Sequence, residues 1–516
     1  MFRVSAISVV YILILSHAPA NPEKKKALMY NHTRRKKKDP DVSLSLSPTT
    51  ASASIKMASP SRMLTLTPSR AKNILLLLSF LVIVFLLLYN PRLHAPSTLF
   101  LRIDVSPPTR RRHLLFVIAS SYASWPRRKP YIRFWWESNS TRALAFLDRP
   151  VPHDPALPQV VVSDDTSRFP YTFPGGLRSA IRVARVVKEA VDRNEPDVRW
   201  FVFGDDDTVF FVDNLVGVLS KYNHEKWFYV GSNSESYEQN VKHSFSMAFG
   251  GGGFAISSSL ARVLAEVLDS CLMRYSHLYG SDLRVYSCLA ELGVGLTHEP
   301  GFHQVDMRGN LFGMLSAHPL SPLLSLHHLD AVDPIFPNMN KTQALERFVN
   351  AVLVDPARIL QQTVCYDSLN SLSISIAWGY AIQVLEGNEL LPNLLMLQKT
   401  FSPWKRGARV QHNYMFNTRD YHRDPCQRPV VFFLESVESG KKSSWSNYTG
   451  HVVGNCVKAK AIKSLEQIRV FSQKLEFDIE QMKAPRRSCC DILPSYNESM
   501  VIHIRQCGPV ERISMH

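Results

Sequence analysis

Three consecutive carboxylates, Asp205-Asp206-Asp207, follow directly on the apolar run Trp200-Phe-Val-Phe-Gly204. Like charges this close repel and raise one another's pKa unless a cation lies among them. A divalent ion removes that cost, and hard carboxylate oxygens suit Mg2+ or Mn2+. Alternate residues of an extended segment share a face, so Asp205 and Asp207 can share one ion while Asp206 faces elsewhere. The task that fits is bridging a cation to the diphosphate of a nucleotide donor, where it offsets charge building on the leaving group. A solvated loop or helix cap is the blander alternative, because Asp207-Thr208 leads toward a helical stretch. A buried strand immediately before the triplet favours the cation.

Other residues could complete such a site. The run Gly250-Gly251-Gly252-Gly253 lets the backbone approach a ligand. No Lys-Ser/Thr follows it, so a wall for a bound sugar, built on Gly251 and Gly252, fits better than a phosphate loop. A tight turn is the plainer reading. Asp282, in Gly280-Ser281-Asp282, stands at the start of a predicted helix. It is either an N-cap or a general base that takes a proton from an acceptor hydroxyl. His298, His303, His318, His327 and His328 crowd a short stretch. Imidazole completes a Mn2+ site when carboxylates supply the other contacts.

The elements that must hold these groups are legible in the hydrophobic pattern. Residues 113–119, 159–163, 200–204, 227–231 and 254–256 read as buried strands. Residues 176–193, 212–222, 257–271 and 282–292 read as helices. This alternation predicts an α/β sandwich with a largely parallel sheet. Ligands of such sheets bind beyond the carboxyl ends of the strands, where both Asp164-Asp165 and Asp205–Asp207 lie. The part after Asp333 is less regular, with a strand at 426–434.

The 516-residue chain carries a formal charge of +16. Residues 1–112 hold eighteen Lys/Arg against four Asp/Glu, so nearly all of the excess is there. A nucleic-acid binder needs its basic patch on the folded domain, and that class is excluded. Ile74 to Tyr89 is an unbroken apolar run with basic residues mainly before it. It predicts a transmembrane helix at 74–90 as an uncleaved anchor, N-terminus cytosolic and the large C-terminal part luminal. A weaker apolar stretch, Val4 to Ala20, is a rival signal sequence, and residues 1–56 read as a dispensable extension before Met57. The expected order is a basic cytosolic tail (1–73), the helix, a stem (91–112), a catalytic domain (113–335) and a partly continuous C-terminal extension (336–516). All eight cysteines follow the apolar run and include no pair of CxxC units. That suits disulfides formed in an oxidising lumen rather than a zinc site. Sequons at Asn139, Asn340, Asn447 and Asn497 fall on the luminal side.

Taken together, HLLFVIASS (113–121), RFWWE (133–137), VVVSDD (160–165), WFVFGDDDT (200–208), AFGGGGFAIS (248–257), YGSDLRVYSCLAELGV (279–294), EPGFHQVDMRGN (299–310) and HPLSPLLSLHHLD (318–330) form a series. The series resembles the Fringe-like β-1,3-glycosyltransferases, most closely the plant Fringe-related group catalogued as a domain of unknown function. The resemblance covers about residues 113–435. It implies a GT-A-type nucleotide-sugar-binding fold with a mixed, largely parallel sheet, a UDP-sugar donor, Mn2+ and inversion at the anomeric carbon. It also implies a Golgi type II membrane protein acting on a glycan, glycoprotein or small glycoside. By the same resemblance the metal is held by Asp207 with Asp205, and by the histidine before Leu-Asp, which is His328, with His327 and His303 as alternates. Asp206, Asp164, Asp165, Ser120, Ser121 and Arg133 match the donor-binding positions. The family's base lies in a Pro-Asp-Asp element; here Gly280-Ser281-Asp282 leaves Asp282 alone in that role. The lost acid at Ser281 keeps open an alternative, a catalytically silent Golgi carbohydrate-binding or scaffold protein on the same fold.

Overall fold

The structure, a computed structural model, describes residues 68–89, 108–405, 413–451, 456–458, 460–494 and 498–515. Most of the expected cytosolic tail and stem, and the Asn497 sequon, lie outside the described residues. Two compact units are distinguished, Met1–Leu101 and Arg102–His516. In the first, helix α1 spans Pro68–Tyr89, where the membrane anchor is expected. Among the described residues no helix is long and apolar enough to cross a membrane. The expected transmembrane helix therefore gains no support from the structure; side chains near both ends of α1 are outside the described set.

The second unit is built on a seven-stranded mixed sheet. Its strands are β1 (Leu114–Ala119), β2 (Arg142–Leu147), β3 (Gln159–Val162), β4 (Trp200–Asp205), β6 (Tyr229–Gly231), β7 (Phe254–Ser257) and β8 (Leu296–His298). Three short strands outside it, β5 (Val209–Phe210), β9 (Phe302–His303) and β11 (Ser325–Leu326), pair with one another, and β10 (Met307–Gly309) pairs with Phe401–Pro403. The order is β3-β2-β1-β4-β7-β6-β8. Strands β1 to β4 are mutually parallel, and β7 runs antiparallel to β4 and β6. The expected mixed, largely parallel α/β sheet is present.

Strand β1 has no polar alternation because both of its faces are covered. Leu114, Phe116 and Ile118 enter one buried cluster, and Leu115 and Val117 another. The second cluster is closed by three amphipathic helices, α3 (Ser179–Asp192), α6 (Ser258–Arg274) and α7 (Asp282–Glu291). The first is closed in part by a second, eight-stranded sheet made wholly from residues 362–505. Ile374, Val384, Phe432, Ile468 and Ile502 of that sheet share the cluster with Trp200 and Val202 of β4. Residues 113–335 and 336–516 thus lie in one compact unit around one continuous core.

All eight cysteines pair, as Cys271–Cys288, Cys365–Cys490, Cys426–Cys456 and Cys489–Cys507. The first ties α6 to α7, whose N-terminus carries Asp282.

Candidate active site

Strand β4 delivers the aspartate triplet to the carboxyl edge of the sheet, and Thr208 locks the turn that follows. The Thr208 hydroxyl accepts the Asp205 N–H at 2.9 Å and donates to the Gly251 carbonyl at 2.8 Å. The end of β4 is thereby joined to the glycine run.

Asp207 is fully buried, and one oxygen, Oδ1, accepts from His327 Nε2 and from Arg128 Nη1, both at 3.1 Å. Its other oxygen, Oδ2, is buried with no hydrogen-bond partner. Leaving a carboxylate oxygen buried and unpaired is costly, and a ligated cation would satisfy it. Burial works against ionisation of Asp207, but the His327 hydrogen bond and charge and the Arg128 charge hold its pKa below the usual range. Asp205 lies 3.8 Å from His327 Nε2. Although part of its surface stays open, it is ringed by protein, and that desolvation pushes its pKa up to about 7. The Asp207, Asp282 and Asp206 charges add to the rise, while His327 opposes it.

His327 is buried and donates Nδ1–H to the Gln304 carbonyl at 3.2 Å. The second nitrogen is thereby aimed at the two aspartates, an arrangement typical of metal-bound histidines. Burial lowers the proton affinity of the ring, but the Asp207 hydrogen bond and the Asp207 and Asp205 charges raise its pKa to about 9. Asp205, Asp207 and His327 offer ligand atoms all within 4.8 Å of one another. Two hard oxygens and an imidazole nitrogen fit Mn2+ or Mg2+, and the nitrogen favours Mn2+. The other such group among the described residues, Cys489, Cys507 and Glu511, contains a disulfide.

The glycines serve this cluster sterically. A Cβ on Gly251 would lie 2.1 Å from His327 Cε1, and one on Gly250 would lie 2.6 Å from Asp282 Oδ1. The Gly252 N–H donates to Gln304 Oε1 at 2.6 Å. Asp282, at the N-terminus of α7, lines a small cavity with Asp205, Gly250 and Ser281. Burial raises its pKa, only partly offset by hydrogen bonds from the Gly250 N–H and the Ser281 hydroxyl at 2.9 Å. A carboxylate of raised proton affinity is suited to accept a proton.

Several sequence-derived positions lie elsewhere. His328 has a left-handed backbone, φ +52°, and is not grouped with the aspartates. Its ring stacks on Trp404 at 4.1 Å and its Nδ1 lies 3.5 Å from Asp306. The Asp206 carboxylate is taken up by the Ser120 and Ser124 hydroxyls at 2.6 and 2.7 Å and by Arg128 at 3.2 Å. Ser120 is engaged by that contact, and the Ser121 hydroxyl lies 2.9 Å from that of Ser124. Arg133 pairs with Asp154 at 2.8 Å and Asp164 with Arg185 at 2.8 Å, while Asp165 accepts from the Ser167 N–H and hydroxyl. Strand β3, which Asp164 and Asp165 follow, is three strand positions from β4, roughly 14 Å at ordinary strand spacing.

Arg128, Gln304 and Asp306 escape the sequence reading. Arg128 has one signal, the basic run Arg127-Arg128-Lys129 just after the first strand. The choice of His327 over His328 has no signal in the sequence; Ser325, two residues before His327, donates to the Gly252 carbonyl beside the site.

A family model described as a protein of unknown function, DUF604, matches residues 239–490, a stretch that holds the glycine run, Asp282 and His327. Over 198 residues the chain is 23% identical to a β-1,3-glucosyltransferase of Homo sapiens, covering 38% of this chain and 36% of that protein. Over 120 residues it is 30% identical to a β-1,3-glucosyltransferase of Mus musculus, covering 23% of each. The chain thus spans about a third or less of the length of the curated relatives it matches. A mannosyltransferase from Pyrobaculum calidifontis, solved in complex with GDP-Man and Mn2+, matches at a TM-score of 0.26 and 12% identity. That match covers 39% of this chain and 57% of the other, and is too distant to bear on the chemistry. A mixed α/β sheet with an aspartate–histidine cluster at its carboxyl edge defines the class of site. The chain is similar to β-1,3-glycosyltransferases.

Proposed function

We propose that this chain is an inverting glycosyltransferase, a UDP-sugar-dependent hexosyltransferase that forms a β-1,3 linkage to an acceptor glycan, glycoprotein or small glycoside. The carrying observation is the juxtaposition of Asp205, Asp207 and His327 with a buried, unpartnered Asp207 oxygen. A divalent cation bound there, Mn2+ by the donor set, supplies positive charge that offsets the charge developing on the leaving diphosphate. Arg128, hydrogen-bonded to Asp206 and Asp207 at the rim of the cluster, adds a fixed positive charge beside it. Asp282 accepts the proton of the acceptor hydroxyl as that oxygen attacks the anomeric carbon. A single displacement with a single base inverts the anomeric centre. The mammalian β-1,3-glucosyltransferase relatives support the linkage, and the motif series supports the Fringe-like, plant-group affiliation and the UDP donor.

The anchored, luminal setting belongs to the same proposal. The charge bias around residues 74–90 supports a type II Golgi membrane protein. Four disulfides among eight cysteines support an oxidising compartment. The test is turnover of a UDP-sugar panel by the full chain, purified in detergent, with Mn2+ and with EDTA. Transfer that needs Mn2+ and is lost in Asp207→Ala is expected. Undiminished turnover by Asp207→Ala, or turnover indifferent to EDTA, would refute the proposal.

A further inference from the structure

A second cluster of buried titratable groups, Glu235, His303 and His318, takes no part in the reaction above. His318 donates Nδ1–H to the Pro319 carbonyl at 2.8 Å, which leaves its Nε2 as an acceptor. His303 Nε2 donates to that atom at 2.8 Å, and His303 Nδ1 meets Glu235 Oε1 at 3.0 Å. The other Glu235 oxygen accepts the Val305 N–H at 2.9 Å. Both carboxylate oxygens therefore grip the segment that begins at β9.

That segment is strained. Val305 has φ +54°, a left-handed conformation that a β-branched residue adopts only when its surroundings enforce it. Gln304, between the two gripped residues, gives its carbonyl to His327 Nδ1 and its side-chain oxygen to the Gly252 N–H. Asp306, just beyond, accepts from the Ser234 hydroxyl at 2.6 Å. Consecutive residues Ser234 and Glu235 thus hold both ends of the turn whose carbonyl orients His327.

We propose that Glu235 is a positioning residue for the cation site. By holding His303 and the Val305 amide, it keeps the Gln304 carbonyl where it fixes the His327 ring and presents Nε2 to a cation. The proposal rests on the reading of Asp205, Asp207 and His327 as a cation site. Glu235 needs two acceptor oxygens for this, and the isosteric amide of Glu235→Gln retains only one. Partners that orient a ligating histidine typically account for about 10- to 100-fold in metal affinity.

The experiment is a Mn2+ titration followed by electron paramagnetic resonance on the full chain, with Glu235→Gln, Asp207→Ala and the parent side by side. Thermal melting is recorded for each. Expected is a Kd for Mn2+ about 10- to 100-fold weaker in Glu235→Gln, with near-parental melting, and loss of binding in Asp207→Ala. Parental affinity in Glu235→Gln, whether or not its melting temperature drops, would overturn the positioning role while leaving the cation site intact. Parental affinity in Asp207→Ala would instead overturn the cation site itself. Should Glu235→Gln fail to fold, His318→Gln perturbs the same chain of contacts from its far end and is read by the same criterion.

Discussion

Gly251→Ala places a single methyl group against the His327 ring of the proposed cation site. A Cβ there would stand 2.1 Å from His327 Cε1, 2.4 Å from Nδ1 and 2.6 Å from Nε2. Ordinary contact begins at 3.4 Å, so the ring must retreat by about 1.3 Å. Retreat is opposed by the His328 ring, 3.8 Å away and itself stacked on Trp404. The Gln304 carbonyl bond to Nδ1 resists it as well. Overpacking of this kind costs about 1–3 kcal/mol of stability. A displacement of about 1 Å at a positioned group costs about 100-fold in function. Gly295→Ala is the control, because a Cβ there meets nothing within 4 Å. Mn2+ binding by calorimetry and UDP-sugar turnover should both fall about 100-fold in Gly251→Ala and remain parental in Gly295→Ala. Parental Mn2+ affinity in Gly251→Ala would show that His327 is not the ligand the steric argument makes it.

Mn2+ affinity should rise with pH, because binding displaces a proton from His327, whose pKa is raised to about 9, and at lower pH also from Asp205, raised to about 7. The Kd should tighten about 100-fold between pH 7 and pH 9 and more steeply below pH 7; a flat profile in resonance titrations would contradict this assignment. Asp282→Asn should lower kcat by about 100- to 10,000-fold while leaving Mn2+ and UDP binding unchanged. An unchanged kcat would remove Asp282 as the base, whereas Mn2+-dependent UDP binding by the parent chain with no transfer would favour the silent carbohydrate-binding alternative. Loss of the Cys365–Cys490 bridge, which closes 125 residues, frees up to about 5 kcal/mol of loop entropy, against about 3 kcal/mol for the 17-residue Cys271–Cys288 bridge. Melting temperatures of the two double-serine variants should fall in that order, and the reverse order would contradict the loop-entropy account.

The amino-acid sequence by itself determined the doubly covered sheet and the place of the triplet on it. Unbroken apolar runs such as Leu114–Ala119 and Trp200–Phe203 suit only strands buried on both faces, and this constraint is local. Asp205, Asp207, Asp282 and the glycine run were legible because each marks the end or start of a regular element. Strand β2 and most of the eight-stranded sheet of residues 362–505 were not. What stabilises that sheet is the core it shares with Trp200 and Val202, a contact between distant segments. Only the tertiary structure places His327, and not His328, in one group with Asp205 and Asp207. The two rings are neighbours in sequence, yet the left-handed turn at His328, the Gln304 carbonyl and the space left by Gly251 aim the first at Asp207 and stack the second on Trp404. Those partners lie between 23 and 120 residues away along the chain, beyond the reach of any local pattern.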